Sequence, residues 1–171
     1  MKLSQHFTLG ELCKTKHVTE DGNIPSHVAI ENLKRICEKW LEDLRYSYNR
    51  LYVWDDFSRN EKGGTRKENF LEADLEEPII ISSGYRSPEV NRCVGGVHSS
   101  NHLTGCAVDI RCVGVEQAIR YAAILLNTAD DRQEDFDELL IERNRKGRYW
   151  VHFAVRPPHE GNRRKVMMVS T

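Results

Sequence analysis

Apolar residues recur at helical spacing in two long stretches of the chain. The first stretch follows Pro25 and Ser26, and Ser is a residue type that caps helix N-termini. Its apolar positions are Ile30, Leu33, Ile36, Cys37, Trp40, Leu41 and Leu44. This spacing predicts a helix with one buried face. The second stretch, residues 115–127, predicts a helix with the buried stripe Ala118, Ile119, Ala122, Leu125 and Leu126.

Two shorter helices are predicted from the residues at their ends. Thr8 precedes Glu11 by three residues, which is the spacing of a capping box, so a helical turn should follow Thr8. Ser87 is followed by Pro88, a residue favoured at the first helical position. The glycine pair at 95–96 should end this second short helix.

Two segments in the middle of the chain have the pattern of buried strands. Residues 78–82 begin with a proline and continue with three consecutive isoleucines. In residues 107–112 the apolar side chains alternate, which places Asp109 on the face opposite Val108, Ile110 and Cys112. We therefore expect a strand that presents a carboxylate on one side and core residues on the other.

The C-terminal part of the chain consists mainly of strand patterns. Residues 138–143 and 149–155 predict two strands, and residues 164–169 predict a last strand at the sheet edge. Because helices come first and strands mix with helices later, the sequence predicts an α+β fold. The expected architecture is a small, mainly antiparallel sheet flanked by helices.

The length of 171 residues suits a single domain spanning the whole chain. Residues 46–77 differ from the rest, since aromatic and polar residues are mixed there and a Gly pair at 63–64 lies among charged residues. We interpret residues 46–77 as an insertion that contains a mobile loop.

The charge and the N-terminal sequence limit the classes of partner. The formal net charge of −1 provides no overall positive field, so we expect no binding to nucleic acid or to a membrane. We expect a monomer. The first residues contain no apolar stretch typical of a signal peptide. The expected location is therefore the cytoplasm until release, or the cell wall after delivery by another route.

The cysteine pattern argues against two kinds of site. The chain has five cysteines, an odd number, and no CxxC pair. A disulfide framework and a cysteine-based zinc site are therefore not expected. Free thiols in a reducing compartment are the favoured interpretation.

Three residues form a candidate metal-binding set. His102 lies in a polar loop before a predicted strand, Asp109 follows on that strand, and His152 lies inside a later strand. Two imidazoles and one carboxylate, with a fourth position for water, are a common catalytic zinc set. A hydrogen-bonded structural role for each histidine is the alternative that spacing alone leaves open.

Three motifs in the chain resemble one family. Residues 100–109 resemble the SxHxxGxAxD signature of the D-alanyl-D-alanine carboxypeptidase family of zinc peptidases. Residues 83–87 are similar to its SGYRS element, and residues 150–152 to its WxH element. The family also includes vancomycin-resistance dipeptidases and phage L-alanyl-D-glutamate endolysins. The resemblance implies a fold like that of hedgehog proteins and these peptidases.

The resemblance also implies roles for individual residues. His102, Asp109 and His152 would be zinc ligands, and Arg86 would bind the substrate and polarise its carbonyl. A guanidinium can stabilise the oxyanion that forms when an amide is attacked. A structural salt bridge is the alternative for Arg86. Ser100 would either bind substrate or support the loop.

The general base departs from the family pattern. Many relatives have an acidic residue three positions before the last histidine ligand, where this chain has Tyr149. Residues 144–147 (NRKG) suit a three-residue hairpin loop with Gly in the bulge position. That register pairs Glu142 with Trp150 and places Glu142 on the same face as His152. We therefore predict Glu142 as the base, with a surface cross-strand contact as the alternative.

The resemblance implies a zinc-dependent hydrolase that acts on peptidoglycan stem peptides as a D-Ala-D-Ala carboxypeptidase. Two alternatives stay open. One is an L-Ala-D-Glu endopeptidase of the endolysin type. The other is a catalytically silent, zinc-containing module that binds the wall or forms part of a phage, which the missing acid at position 149 would favour.

Overall fold

A five-stranded sheet organises the part of the protein that the structure describes. The computed structural model describes residues 1–54 and 76–170. The strand order is β1-β2-β4-β3-β5, and among neighbours only β3 and β5 run parallel. This confirms the predicted α+β class with a mainly antiparallel sheet. The strands are β1 (Ile81–Ser83), β2 (Ala107–Arg111), β3 (Glu138–Arg143), β4 (Tyr149–Ala154) and β5 (Lys165–Ser170).

Within residues 1–54 and 76–170, five α-helices accompany the sheet, and the predicted caps begin three of them. The side chains of Thr8, Ser26 and Ser87 each accept a hydrogen bond from a backbone N–H of the first turn. A π-helical turn, Cys37–Leu41, joins the second helix to the third. The helices are α1 (Leu9–Leu12), α2 (His27–Ile36), α3 (Glu42–Tyr48), α4 (Pro88–Cys93) and α5 (Val115–Arg132).

The two faces of the sheet have different surroundings. One face contributes to the hydrophobic core with Val108, Ile110, Leu139, Val151 and Phe153. Trp40 from the Cys37–Leu41 turn is buried against Phe153, with ring centroids 5.1 Å apart. Because side chains alternate along a strand, the residues between these apolar positions point to the opposite face. That second face carries the candidate site.

Helix α5 is longer than the sequence predicted. It continues beyond residue 127 to Arg132 and ends where Gln133 adopts a left-handed conformation (φ 53°). The additional turn is mostly polar, so its apolar periodicity is weak, but Ala129 is buried there. The prediction that Ile119 is buried was wrong, since its side chain is 51% exposed. Tyr121 and Ile124 complete the buried stripe instead.

The first strand is shorter than the apolar run that predicted it. β1 begins at Ile81, although Ile79 is buried and the Ile80 carbonyl accepts a hydrogen bond from Arg111. Pro78 has no N–H to donate to a ladder, which favours irregular backbone at the start of the run.

The region predicted as an insertion begins as a helix. A second π-helical turn, Asn49–Trp54, continues α3. Residues 55–75 lie outside the described residues, so the mobile loop stays a prediction. In the part of the chain that the structure describes, none of the helices combines the length and apolarity that crossing a bilayer requires.

Candidate metal centre

His102 lies in a 3-10 turn, Asn101–Thr104, that the sequence builds with two specific residues. The Ser100 hydroxyl caps the turn by accepting a hydrogen bond from the His102 N–H at 3.3 Å. Gly105 ends it with φ +70°, a conformation that disfavours side chains. A Cβ atom at Gly105 would also lie 2.3 Å from the Ala29 carbonyl oxygen of α2. This glycine therefore lets the turn pack closely against α2.

The orientation of the His102 ring follows from one hydrogen bond. Its Nδ1 lies 2.6 Å from the carbonyl oxygen of Gly84. Since a carbonyl only accepts, Nδ1 carries the proton and the lone pair is left on Nε2. Nε2 lies 3.3 Å from the Oδ1 atom of Asp109. The backbone thus selects the tautomer whose free nitrogen faces the carboxylate.

Asp109 and His152 are brought together by strand pairing. They are direct partners in the antiparallel ladder between β2 and β4. The Nδ1 atom of His152 lies 2.9 Å from Asp109 Oδ1. One ligand atom each from His102, Asp109 and His152 lies within 4.8 Å of the others. Such a cluster of two imidazoles and one carboxylate has the donor set and the spacing for a single metal ion.

The charge states of the three residues depend on one another. Burial is the main influence on His102 and lowers its pKa, so this imidazole is neutral. Burial works to raise the pKa of Asp109, but His102 and His152 outweigh it and hold that pKa well below its usual range. Burial works to lower the pKa of His152, whereas hydrogen bonds to Asp109 and Glu138 raise it to about 9.

Glu138 is a site residue that the sequence analysis missed. Its Oε2 lies 3.5 Å from the Nε2 atom of His152, on the side of the ring away from Asp109. The contact with His152, and a further one with Lys165, lower the pKa of Glu138 to about 2 against the effect of burial. Carboxylates that hold the far nitrogen of a metal-binding histidine orient the ring and increase its basicity. The placement of Glu138 fits that role.

Glu142 lies where the hairpin prediction placed it. Glu142 pairs with Trp150, and Leu140 pairs with His152, so the predicted register is confirmed. Gly147 has φ +75° at the predicted bulge position. Burial, and then the negative charge of Asp109, raise the pKa of Glu142. This carboxylate is therefore easier to protonate than an ordinary glutamate.

Arg86 contacts the carboxylate oxygen that the histidines leave free. Its guanidinium pairs with Asp109 Oδ2, and its Nε donates to the Ser83 hydroxyl at 2.8 Å. The Arg86 backbone N–H donates to the His102 carbonyl at 3.1 Å. A salt bridge thus exists, as the structural alternative for Arg86 supposed, and the guanidinium also lines the cleft beside the candidate ligands.

A buried carboxylate connects the turn around His102 to the end of the sheet. Asp137 is fully buried and accepts hydrogen bonds from Asn101 at 2.8 Å and from two nitrogens of Arg163 at 2.7 Å each. Arg156 lies 3.1 Å from the same carboxylate. Because Asn101 opens the 3-10 turn, Asp137 fixes the turn relative to β3.

A family model matches this chain. The model is described as peptidase M15 and covers residues 64–153, just over half of the sequence. The chain belongs to the peptidase M15 family. This is the family of zinc peptidases that the three motifs resembled. None of the curated proteins matches the chain.

The clustered residues of this M15 peptidase lie in a cleft of about 590 Å³ on the open face of the sheet. His102, Asp109 and His152 line the cleft, with Glu138 and Glu142 beside them. Ser100 also borders it, although its hydroxyl is engaged in capping. A zinc ion suits this donor set, because the ligand atoms converge and both outer ring nitrogens already have partners. The family membership and this cluster together support a zinc metallopeptidase.

Proposed function

We propose that the protein hydrolyses peptide bonds in peptidoglycan stem peptides, as a zinc-dependent peptidase of the D-Ala-D-Ala carboxypeptidase type. The observation that carries the proposal is the convergence of His102, Asp109 and His152 in a cleft of an M15 peptidase. Peptidoglycan-type peptides are the substrates that the family suggests.

His102, Asp109 and His152 would hold the zinc ion through Nε2, Oδ1 and Nδ1. These are the atoms that face one another. The outer ring nitrogens contact other groups, since His102 Nδ1 lies at the Gly84 carbonyl and His152 Nε2 lies at Glu138. A bound zinc ion supplies Lewis acidity, which polarises a carbonyl group and makes water a stronger acid.

Glu142 would transfer the proton. It lines the same cleft as the three ligands, on the face that presents His152. A carboxylate with a raised pKa accepts a proton from the attacking water and can return it to the leaving amine. Glu138 is less suited to this step, since its contacts with His152 and Lys165 hold its pKa at about 2.

Arg86 would stabilise the negative charge that develops on the carbonyl oxygen of the substrate. Its guanidinium is bound to Asp109 and Ser83, so its position is fixed before substrate arrives. A fixed cation directed at the developing oxyanion lowers the barrier without reorganisation. Ser100 would contribute by holding the His102 turn, and contact of its hydroxyl with substrate stays a prediction.

A second candidate function is cleavage at L-Ala-D-Glu by an endopeptidase. A second cleft of about 570 Å³ meets the first at Arg86 and Asp109, so space for substrate extends on both sides of this pair. A carboxypeptidase requires a free terminal carboxylate beside the bond that it cuts, whereas an endopeptidase does not.

Mass spectrometry of peptidoglycan fragments after incubation with zinc-loaded protein tests the proposal. We expect loss of a terminal D-Ala, and His102→Ala should abolish it. His159→Ala is the matched control, because His159 is an exposed histidine outside the cleft. A cut at L-Ala-D-Glu would favour the endopeptidase. Absence of any cut with one zinc ion bound per chain would contradict the proposal and favour the silent zinc-containing module.

A further inference from the structure

The second cleft has a basic wall that the proposed reaction does not use. Lys14 and Lys16 contribute to it from the irregular segment after α1, and Arg111 contributes from the end of β2. Ser82 and Ser83 line the same cleft, where the Ser82 hydroxyl donates to the Asp109 carbonyl and the Ser83 hydroxyl accepts from Arg86. The cleft therefore combines these three cations, with Arg86 beside them, with neutral hydrogen-bonding groups.

These three cations have no carboxylate partner within residues 1–54 and 76–170. Most other basic residues around the site do have one, including Arg163 and Lys165, which pair with Glu138. The only carboxylate lining the basic cleft in this described part is Asp109, and Arg86 already pairs with it. The net charge of the whole chain is −1, so this local excess of positive charge is not a general property of the surface.

The basic cleft adjoins the candidate metal centre. Arg86, Val94 and Asp109 line both clefts. Arg111 lies two residues beyond Asp109 on β2, so the two side chains point to the same face of the sheet, with Cα atoms about 7 Å apart. An extended peptide advances about 3.3–3.6 Å per residue. A group bound at Arg111 would therefore lie about two residues from a group bound at Asp109.

We propose that the basic cleft, formed by Lys14, Lys16 and Arg111, binds a carboxylate of the substrate about two residues from the bond that is cut. The inference rests on the proposed function, since it places the substrate at the metal centre. Arg111 recognises a carboxylate with its planar donors, while the two lysines add charge. The ligand class is thus an acidic peptide segment. A polyanion carrying phosphates would engage the same cations, but a cleft that opens onto the metal centre favours the peptide.

Binding measurements without turnover test the proposal. The protein is the zinc-loaded full chain with Glu142→Gln, and isothermal titration calorimetry measures its affinity for a soluble stem pentapeptide. The test variant adds Lys16→Gln and Arg111→Gln. The matched control adds Arg145→Gln and Lys146→Gln, which remove the same charge from the exposed hairpin loop outside both clefts. A second titration uses the same peptide with its carboxylates converted to carboxamides.

We expect the cleft variant to bind the acidic peptide about three- to tenfold more weakly than the control, because two partly exposed ion pairs are lost. The amidated peptide should bind both proteins equally, and added salt should reduce the difference between the peptides. Equal affinity of the two proteins for the acidic peptide would overturn the proposal. A second outcome would also overturn the proposal. In that outcome, tight binding of poly(glycerol phosphate) depends on Lys16 and Arg111, whereas binding of the acidic peptide does not.

The binding result is separate from the test of catalysis. If the wild-type chain cuts no peptide but binding depends on Lys16 and Arg111, the proposed reaction fails and the carboxylate site stands. If the wild-type chain cuts the peptide and the cleft variant matches its control in affinity, the reaction stands and the carboxylate site fails.

Discussion

His152 and Asp109 are direct partners on neighbouring antiparallel strands, and His152 Nδ1 lies 2.9 Å from Asp109 Oδ1. The pairing of β2 with β4 therefore holds two candidate ligands in place without a loop. His102 completes the cluster from a turn whose ring orientation is set by the Gly84 carbonyl. Sites that are built on strands and supported by outer hydrogen bonds are positioned more accurately than sites built on loops.

Zinc binding should release a proton from His152. Hydrogen bonds to Asp109 and Glu138 outweigh burial and raise the pKa of His152 to about 9, so the metal-free protein carries this proton at pH 7. A metal ligand must be neutral, and zinc must therefore displace the proton. The zinc affinity should rise as the pH increases from 6 to 8. Calorimetry in buffers of different ionisation enthalpy should report about one proton released, and a count of zero would contradict the assignment of His152.

Glu142→Gln should separate catalysis from metal binding. The amide preserves the shape of the side chain but cannot accept the proton from water. We expect kcat to fall about 10²- to 10⁴-fold while the zinc content per chain is unchanged. Peptide turnover and metal analysis of the same preparation measure both. Full activity of the variant would show that another group is the base.

Glu138→Gln should weaken zinc binding rather than the proton transfer itself. Glu138 lies 3.5 Å from His152 Nε2, and its loss removes the charge that supports this ring. We expect the zinc dissociation constant to rise about 10- to 100-fold, measured by competition with a chelator. Glu116→Gln is the control, since Glu116 is an exposed residue of α5 that pairs with Arg120. Equal zinc affinity of the two variants would exclude the supporting role.

Gly105→Ala should destabilise the fold more than Gly95→Ala does. Both glycines have a left-handed backbone, with φ +70° and +72°, but only Gly105 faces another backbone atom, the Ala29 carbonyl oxygen. Gly95→Ala should lower the free energy of unfolding by about 1–2 kcal/mol, because alanine is unfavourable in the left-handed conformation. Gly105→Ala should cost more, because the turn must move away from α2. Urea unfolding measures both, and equal losses would contradict the close packing.

Local signals explain which parts of the structure could be predicted from the sequence. The caps Thr8, Ser26 and Ser87 begin helices as predicted, because capping depends on a few adjacent residues. The hairpin register followed from the turn at residues 144–147, which allowed Glu142 to be placed on the His152 face. Helix α5 extends beyond its prediction, since tertiary packing of Ala129 outweighs a polar composition.

Features that depend on distant elements were not predictable in the same way. Glu138 shares the face of Leu140 and Glu142, so the predicted register already placed its side chain on the face of the site. The basic cleft joins residues 14–16 to Arg111, and no sequence pattern connects segments that far apart. The pairing of Arg86 with Asp109 likewise depends on how β2 lies against the segment before α4.

Anomalous diffraction at the zinc absorption edge, from crystals of the zinc-loaded protein, tests whether His102, Asp109 and His152 bind the metal. We expect one strong anomalous peak among His102 Nε2, Asp109 Oδ1 and His152 Nδ1, and crystals of His102→Ala should lack it. A peak at another place, or the same peak in the variant, would contradict the account of this protein as a zinc peptidase that uses these three ligands.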